Sequence, residues 1–346
     1  MSFLSFLNLT FSDFFVFLTV EITLAVAFVN GWTDAPNAIA SSVVTRCLPL
    51  RKAVALAALC DFAGSLTMGM LSNKVTQTVV NLTSFGADNV IASAALCASM
   101  SAVVIWATAA WAFGIPTSES HALLAGLMGA GIAVNKGFSG VDAGEWVKVV
   151  YGLVLSTFLG FLSGYASSKI TVKFFENTEK SKSDVFFKNS QIAASALMAF
   201  MHGAQDSQKF SGILFIVISL SDYQNEIAEA PIWMPVLCAL TIALGTATGG
   251  ARIIKSVGMD MIKLRRDQGF AADMAGAFCL FVSTVFGMPV STTHTKTSAV
   301  LGVGTARSPK SVNWSVAGEM AAAWILTFPC CAMLSYIITL IYIKVF

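Results

Sequence analysis

Charge is what this sequence has least of. Asp, Glu, Lys and Arg supply 12% of its 346 residues, against 56% hydrophobic residues and a mean hydropathy of +0.74. So few charged side chains cannot clothe a soluble chain of this size, whereas lipid-facing helices need almost none. The apolar runs also lack the strict alternation of a membrane β-barrel. A lipid-exposed backbone that satisfies its own hydrogen bonds is then helical, and the fold class is an all-α polytopic membrane protein. Neither Lys nor Arg occurs in the first twelve residues, and no small-residue cleavage site follows. No cleavable signal peptide is expected, and the first apolar stretch reads as a span. Metal-ligand spacing is missing as well. The seven cysteines (47, 60, 97, 238, 279, 330 and 331) sit mostly inside apolar segments and read as small buried hydrophobes. A net charge of +2 is too small to imply a nucleic-acid or acidic partner, and no cofactor is implied.

What is present is a succession of apolar segments near residues 14–44, 53–72, 91–135, 146–167, 191–220, 232–250, 270–304 and 314–344. The longest polar link suggests a division into a first transmembrane repeat over 1–167, a flexible cytoplasmic linker over 168–190 and a second repeat over 191–346. Strings recur across that link. "GIPTSESH" at 114–121 returns as "GMPVSTTH" at 287–294, "VNGWTDAPNA" at 29–38 stands against "MHGAQDSQKF" at 201–210, and "AGE" at 143–145 against "AGE" at 317–319. The offset stays between 172 and 174 throughout, which marks a duplication of half the protein.

If the two segments holding the Pro-Ser strings are hairpins, three net crossings per half place fifteen Lys and Arg on one side of the membrane and three on the other. The first side is then cytoplasmic and both termini are extracytoplasmic. An odd number of crossings also inverts the second half relative to the first, with re-entrant hairpins and broken helices at the centre.

A Pro followed by Ser or Thr inside a membrane segment ends one helix and caps the next. The hydroxyls then lie beside free amide N–H groups at the positive end of a helix dipole, which is an oxyanion site. Thr117, Ser118, Ser120, Ser291, Thr292 and Thr293 are its candidate donors, with His121 and His294. The competing reading is that these hydroxyls only satisfy a kinked helix. Asp34 and Asp206 each follow a Gly by three residues in an apolar setting, where an ionised group costs roughly 2.5 to 3.5 kcal/mol. With Asn30, Asn37 and Gln205 they suit a Na⁺ site or a proton-accepting carboxylate, and Thr33 and Gln208 lie nearby in sequence. The alternative is a structural Asp pairing with Lys209 or a helix end. His202, Lys209, Asp61, Asp273 and Glu119 are pathway candidates. Lys209 and Lys296 either offset anion charge or snorkel, and Glu119, repulsive toward an oxyanion unless protonated or paired, either faces away or serves a proton route.

These strings resemble the inorganic phosphate transporter (PiT) family. The resemblance rests on "NGWTDAPN" at 30–37, "HGAQDSQKFSG" at 202–212, "GTATGGARIIKSVG" at 245–258 and "GMPVSTTHTKTSAVLGVG" at 287–304, and spans nearly the whole chain. The family often has Asn before each motif Asp, where this chain has Thr33 and Gln205. The resemblance implies a symporter, not an enzyme, importing inorganic phosphate with Na⁺ or H⁺ across a bacterial plasma membrane by alternating access. It further implies that the hairpin hydroxyls hold phosphate and that Asp34 and Asn37 with Asp206 coordinate the coupling cation or bridge it to the anion. Moving a divalent anion against the potential costs roughly 4.6 kcal/mol per 100 mV, so at least two monovalent cations are expected with each. A symporter of sulfate or another tetrahedral oxyanion is the alternative. An intramembrane hydrolase using a Ser near His121 or His294 is the third reading, disfavoured because catalysis needs unequal roles and the strings are near-equal. The sequence leaves the oligomeric state open, a homo-oligomer included.

Overall fold

The computed structural model describes residues 2–113, 117–220, 231–248 and 261–345. The described part is helical almost throughout, with one isolated β-bridge between Thr83 and Val141. The helices are α1 (Phe3–Ser12), α2 (Phe14–Thr33), α3 (Ala35–Val44), α4 (Leu50–Leu71), α5 (Lys74–Asn81), α6 (Asn89–Phe113) and α7 (Glu119–Asn135). After the first of the longest helices, α8 (Ala143–Phe175), come α9 (Lys180–Ser219), α10 (Trp233–Thr248), α11 (Arg266–Val285), α12 (Thr292–Arg307) and α13 (Trp314–Val345). Six stretches among the described residues are long and apolar enough to cross a membrane: Phe14–Val44, Leu50–Leu71, Asn89–Ala110, Ala143–Phe175, Arg266–Val285 and Trp314–Val345. All are apolar segments of the sequence.

The 168–190 link differs from expectation. It is not an irregular connection, since α8 runs on to Phe175 and α9 starts at Lys180, leaving four residues between two helix ends. A salt bridge from Arg266 to Asp184 (2.5 Å) and the tilted, mutually packed rings of Phe175, Phe186 and Phe187 bind the start of α9 to its neighbours.

The two halves pack on each other reciprocally. In the first half α2 lies against α10 and in the second α9 lies against α4; likewise α7 packs on α13, and α12 on α8. Matching glycines make these contacts close. The carbonyl of Phe28 sits under Gly245 and that of Phe200 under Gly64, while Gly31 rests on the carbonyl of Ile242 and Gly203 on that of Asp61. Between lipid-embedded helices, burial of apolar surface supplies little drive, so small residues that let backbones touch set the interface.

The second hairpin turns by a named device. Gly287 has φ +70°, the N–H of Gly287 bonds the carbonyl of Thr284 (3.1 Å) and that of Met288 the carbonyl of Ser283 (2.9 Å). That is a Schellman-type stop requiring a left-handed residue, which glycine adopts without a Cβ penalty.

Because a Cβ on Gly64 or Gly203 would collide with backbone of the facing helix, Gly64→Val and Gly203→Val should lower the apparent melting temperature of the purified protein by several degrees, equivalent to about 1–3 kcal/mol of overpacking. Gly318→Ala, where a Cβ meets nothing within 4 Å, should leave it unchanged.

Candidate functional site

The hairpin helices α7 and α12 begin at Ser118 and Ser291. Each is an extended-backbone N-cap whose hydroxyl accepts the amide three residues on, His121 N (3.3 Å) and His294 N (3.1 Å) respectively. The two caps meet: Ser118 Oγ donates to Ser291 Oγ at 2.8 Å. One turn inward the rings of His121 and His294 meet edge to face, 4.1 Å between centroids, and His294 stacks on Trp324 of α13 at 3.8 Å. Each pair joins equivalent positions of the two repeated strings, as contacts on a two-fold axis do. Two open helix ends therefore face one spot, where the amides of Glu119, Ser120, Thr292 and Thr293 have no intrahelical acceptor. Thr117 lies half-buried just before the first cap, whereas Pro116, expected to break that helix, lies outside the described residues.

Carboxylates flank this spot. Asp34 sits where the first span breaks, as the C-cap of α2 and the N-cap of α3; a proline at 36 has no N–H with which to continue the ladder. Thr293 Oγ1 donates to Asp34 Oδ1 in a short hydrogen bond, Asn37 Nδ2 donates to the same oxygen (3.1 Å) and to Thr293 Oγ1 (3.2 Å), and Thr292 Oγ1 reaches Oδ2 (3.4 Å). Asp206 lies in the uninterrupted α9. Its Oδ1 accepts from Lys209 Nζ (2.6 Å), and its Oδ2 accepts from Asn30 Nδ2 (3.0 Å) and lies 3.4 Å from His202 Nε2. Asp34, His202 and Asp206 bring ligand atoms within 4.8 Å of one another, a spacing a cation can bridge. Glu119 is buried, and its Oε1 contacts Thr33 Oγ1 at 2.5 Å.

Two further clusters adjoin the centre. Asp61 of α4 pairs with His202 Nδ1 (3.0 Å) and accepts from Thr246 Oγ1 (2.8 Å). Asp273 of α11 forms a close ion pair with Lys296 and accepts from Ser41 (2.7 Å), Gln191 (2.6 Å) and Ser195 (2.6 Å). Snorkelling is therefore wrong for both lysines: each is about 1% exposed, with its ammonium against a buried carboxylate. Gln205, expected among the cation ligands, instead holds the second hairpin, donating to Met288 O (2.7 Å) and accepting from Thr284 Oγ1 (2.6 Å). Gln208 likewise serves α5, accepting the amide of Val75 at 3.3 Å.

The model of the phosphate transporter family matches residues 30–335. The chain belongs to that family. A probable low-affinity inorganic phosphate transporter of Bacillus subtilis (strain 168) is 35% identical over 328 residues, covering 94% of this chain and 97% of that one. A protein of the same description from Rhizobium meliloti (strain 1021) is 35% identical over 316 residues, 91% of this chain and 93% of its own length. Among solved structures, one described as the sodium-dependent phosphate transporter superposes with a TM-score of 0.84 at 22% identity, covering 96% of this chain and all of its own. At that identity the likeness is one of fold. The family is one of transporters, so the protein is not an enzyme and the hydrolase reading falls.

Sequence reasoning missed the partners that only packing supplies. Trp324 is one more aromatic in an apolar run, Ser41, Gln191 and Ser195 surround Asp273 from two other helices, and Thr33 meets Glu119 across 86 positions. A polar residue in an apolar segment was the available signal, but it named no partner.

Removing one member of a buried ion pair strands the other, at about 3–5 kcal/mol, whereas removing both is far milder. Lys296→Met should therefore lower the apparent melting temperature strongly, and Lys296→Met with Asp273→Leu should recover much of it in the same thermal assay.

Proposed function

We propose that this protein imports inorganic phosphate by symport with Na⁺ or H⁺, its two halves forming inverted repeats that alternate access to a central site. The observation that carries the reading is the hydroxyl contact between Ser118 and Ser291, which holds two capped helix N-termini against each other. Amide groups, cap hydroxyls and two helix dipoles then bind a tetrahedral anion without a fixed charge of their own. Thr117, Ser120, Thr292, Thr293, His121 and His294 complete this anion set. The reciprocal packing of α2 on α10 and α9 on α4 supports two halves that rock against each other about the site.

The acids decide between oxyanions. Asp34, Asp206 and Glu119 all lie buried beside the helix ends. A hydrogen-phosphate ion can donate its proton to a carboxylate, and sulfate has none to give. Asp34 with Asn37 holds the coupling cation, whose charge also offsets the anion's movement against the potential, and Asp206, bonded by Asn30 and Lys209, lies beside it. By the excess of Lys and Arg on one side, the α8–α9 connection is cytoplasmic and both termini are extracytoplasmic.

In proteoliposomes, labelled phosphate should accumulate only under an inward Na⁺ or H⁺ gradient, and excess sulfate should not compete. Uptake indifferent to any cation gradient would make the protein a uniporter, and sulfate competition would make it a general oxyanion carrier. Asp34→Asn should lower uptake at least about tenfold, a loss of ~1.4 kcal/mol.

A further inference from the structure

The duplicated halves bury a carboxylate at equivalent positions, Asp34 and Asp206, and the two are not partnered alike. Aligning Asp34 with Asp206 sets Asn37 opposite Lys209, and aligning the hairpin strings sets Thr293 opposite Ser120. Around Asp206, Lys209 Nζ bonds the carboxylate Oδ1 (2.6 Å), the hydroxyl of Ser120 (2.7 Å) and the carbonyl of Val290 (2.6 Å). Around Asp34, Asn37 Nδ2 bonds the equivalent carboxylate (3.1 Å) and the equivalent hydroxyl of Thr293 (3.2 Å). In each half the ligand set is thus a carboxylate of one repeat and a hydroxyl from the hairpin of the other. Oxygen donors of this kind are those of a small hard cation.

We propose that Lys209 is a tethered cation: its ammonium permanently fills one of two symmetry-related cation positions, leaving the Asp34 position alone for a mobile ion. All three ammonium protons are spent on Asp206, Ser120 and Val290, so none remains to bind the anion. Asp34, in contrast, makes no ion pair with Lys or Arg among the described residues. Beside it the buried Oδ1 of Asn37 has no hydrogen-bond partner. One mobile cation balances a monovalent dihydrogen phosphate. The second positive charge expected for divalent phosphate is then the proton on the anion itself.

This inference rests on the symport reading, and the two can fail separately. Absence of gradient-driven phosphate uptake in the unaltered protein would refute symport alone. Given uptake, ²²Na⁺ binding is measured on the purified full chain with saturating inorganic phosphate, beside the charge moved per phosphate from the reversal potential. Lys209→Asn, which installs the residue of the other half, should bind one more Na⁺ per chain, carry one more positive charge per phosphate, and show a Hill coefficient for Na⁺ rising toward 2. An unchanged Na⁺ count in a monodisperse K209N overturns the proposal. Should K209N fail to fold, the reciprocal Asn37→Lys decides. It should give Na⁺-independent phosphate binding in the purified protein, and phosphate binding that still depends on Na⁺ as in the unaltered chain overturns the proposal.

Discussion

Two helix N-termini brought face to face in an apolar interior are the constraint from which the rest of the structure follows. A helix end leaves amides unsatisfied, and in lipid such groups find no water to bond. Ser118 and Ser291 each satisfy one amide of their own helix and then bond each other, so the two ends are joined by the residues that cap them. The remaining amides converge on one place. To hold that geometry, α7 packs on α13 of the other half and α12 on α8, so neither hairpin is anchored by its own repeat alone.

Burying charge around such a site is costly unless every group is paired. The protein meets this with short chains of partners running outward from the centre: Asp206 to His202 to Asp61 to Thr246, and Asp273 to Lys296, Ser41, Gln191 and Ser195. Each carboxylate thereby ties together helices distant in sequence. The polar network therefore aligns helices as well as solvating charge, a division of labour suited to an interior in which apolar side chains gain little by leaving lipid.

The duplication supplies symmetry, and the two halves depart from it at particular residues. The first span bends at Asp34, whereas α9 runs unbroken through Asp206. Glu119 stands where the other string has Thr292, and Lys209 where the other half has Asn37. These differences give the two halves unequal charge around the facing helix ends.

The fold class, the apolar segments and the paired strings were legible in the sequence because hydropathy and repetition are local properties of the chain. Asp34, Asp206 and the hairpin hydroxyls also stood out in the sequence, since a polar group in an apolar run announces itself through its desolvation cost, and the structure buries them close together. The partners were not legible. The tie of the 168–190 link to its neighbours, the commitment of Gln205 to the second hairpin and the full use of Lys209's protons all depend on which helix lies opposite. The sequence by itself determined which residues must be buried with their charges. Only the tertiary structure decided which of them satisfy one another and which are left facing the central site, because pairing depends on distances between segments that no local pattern encodes.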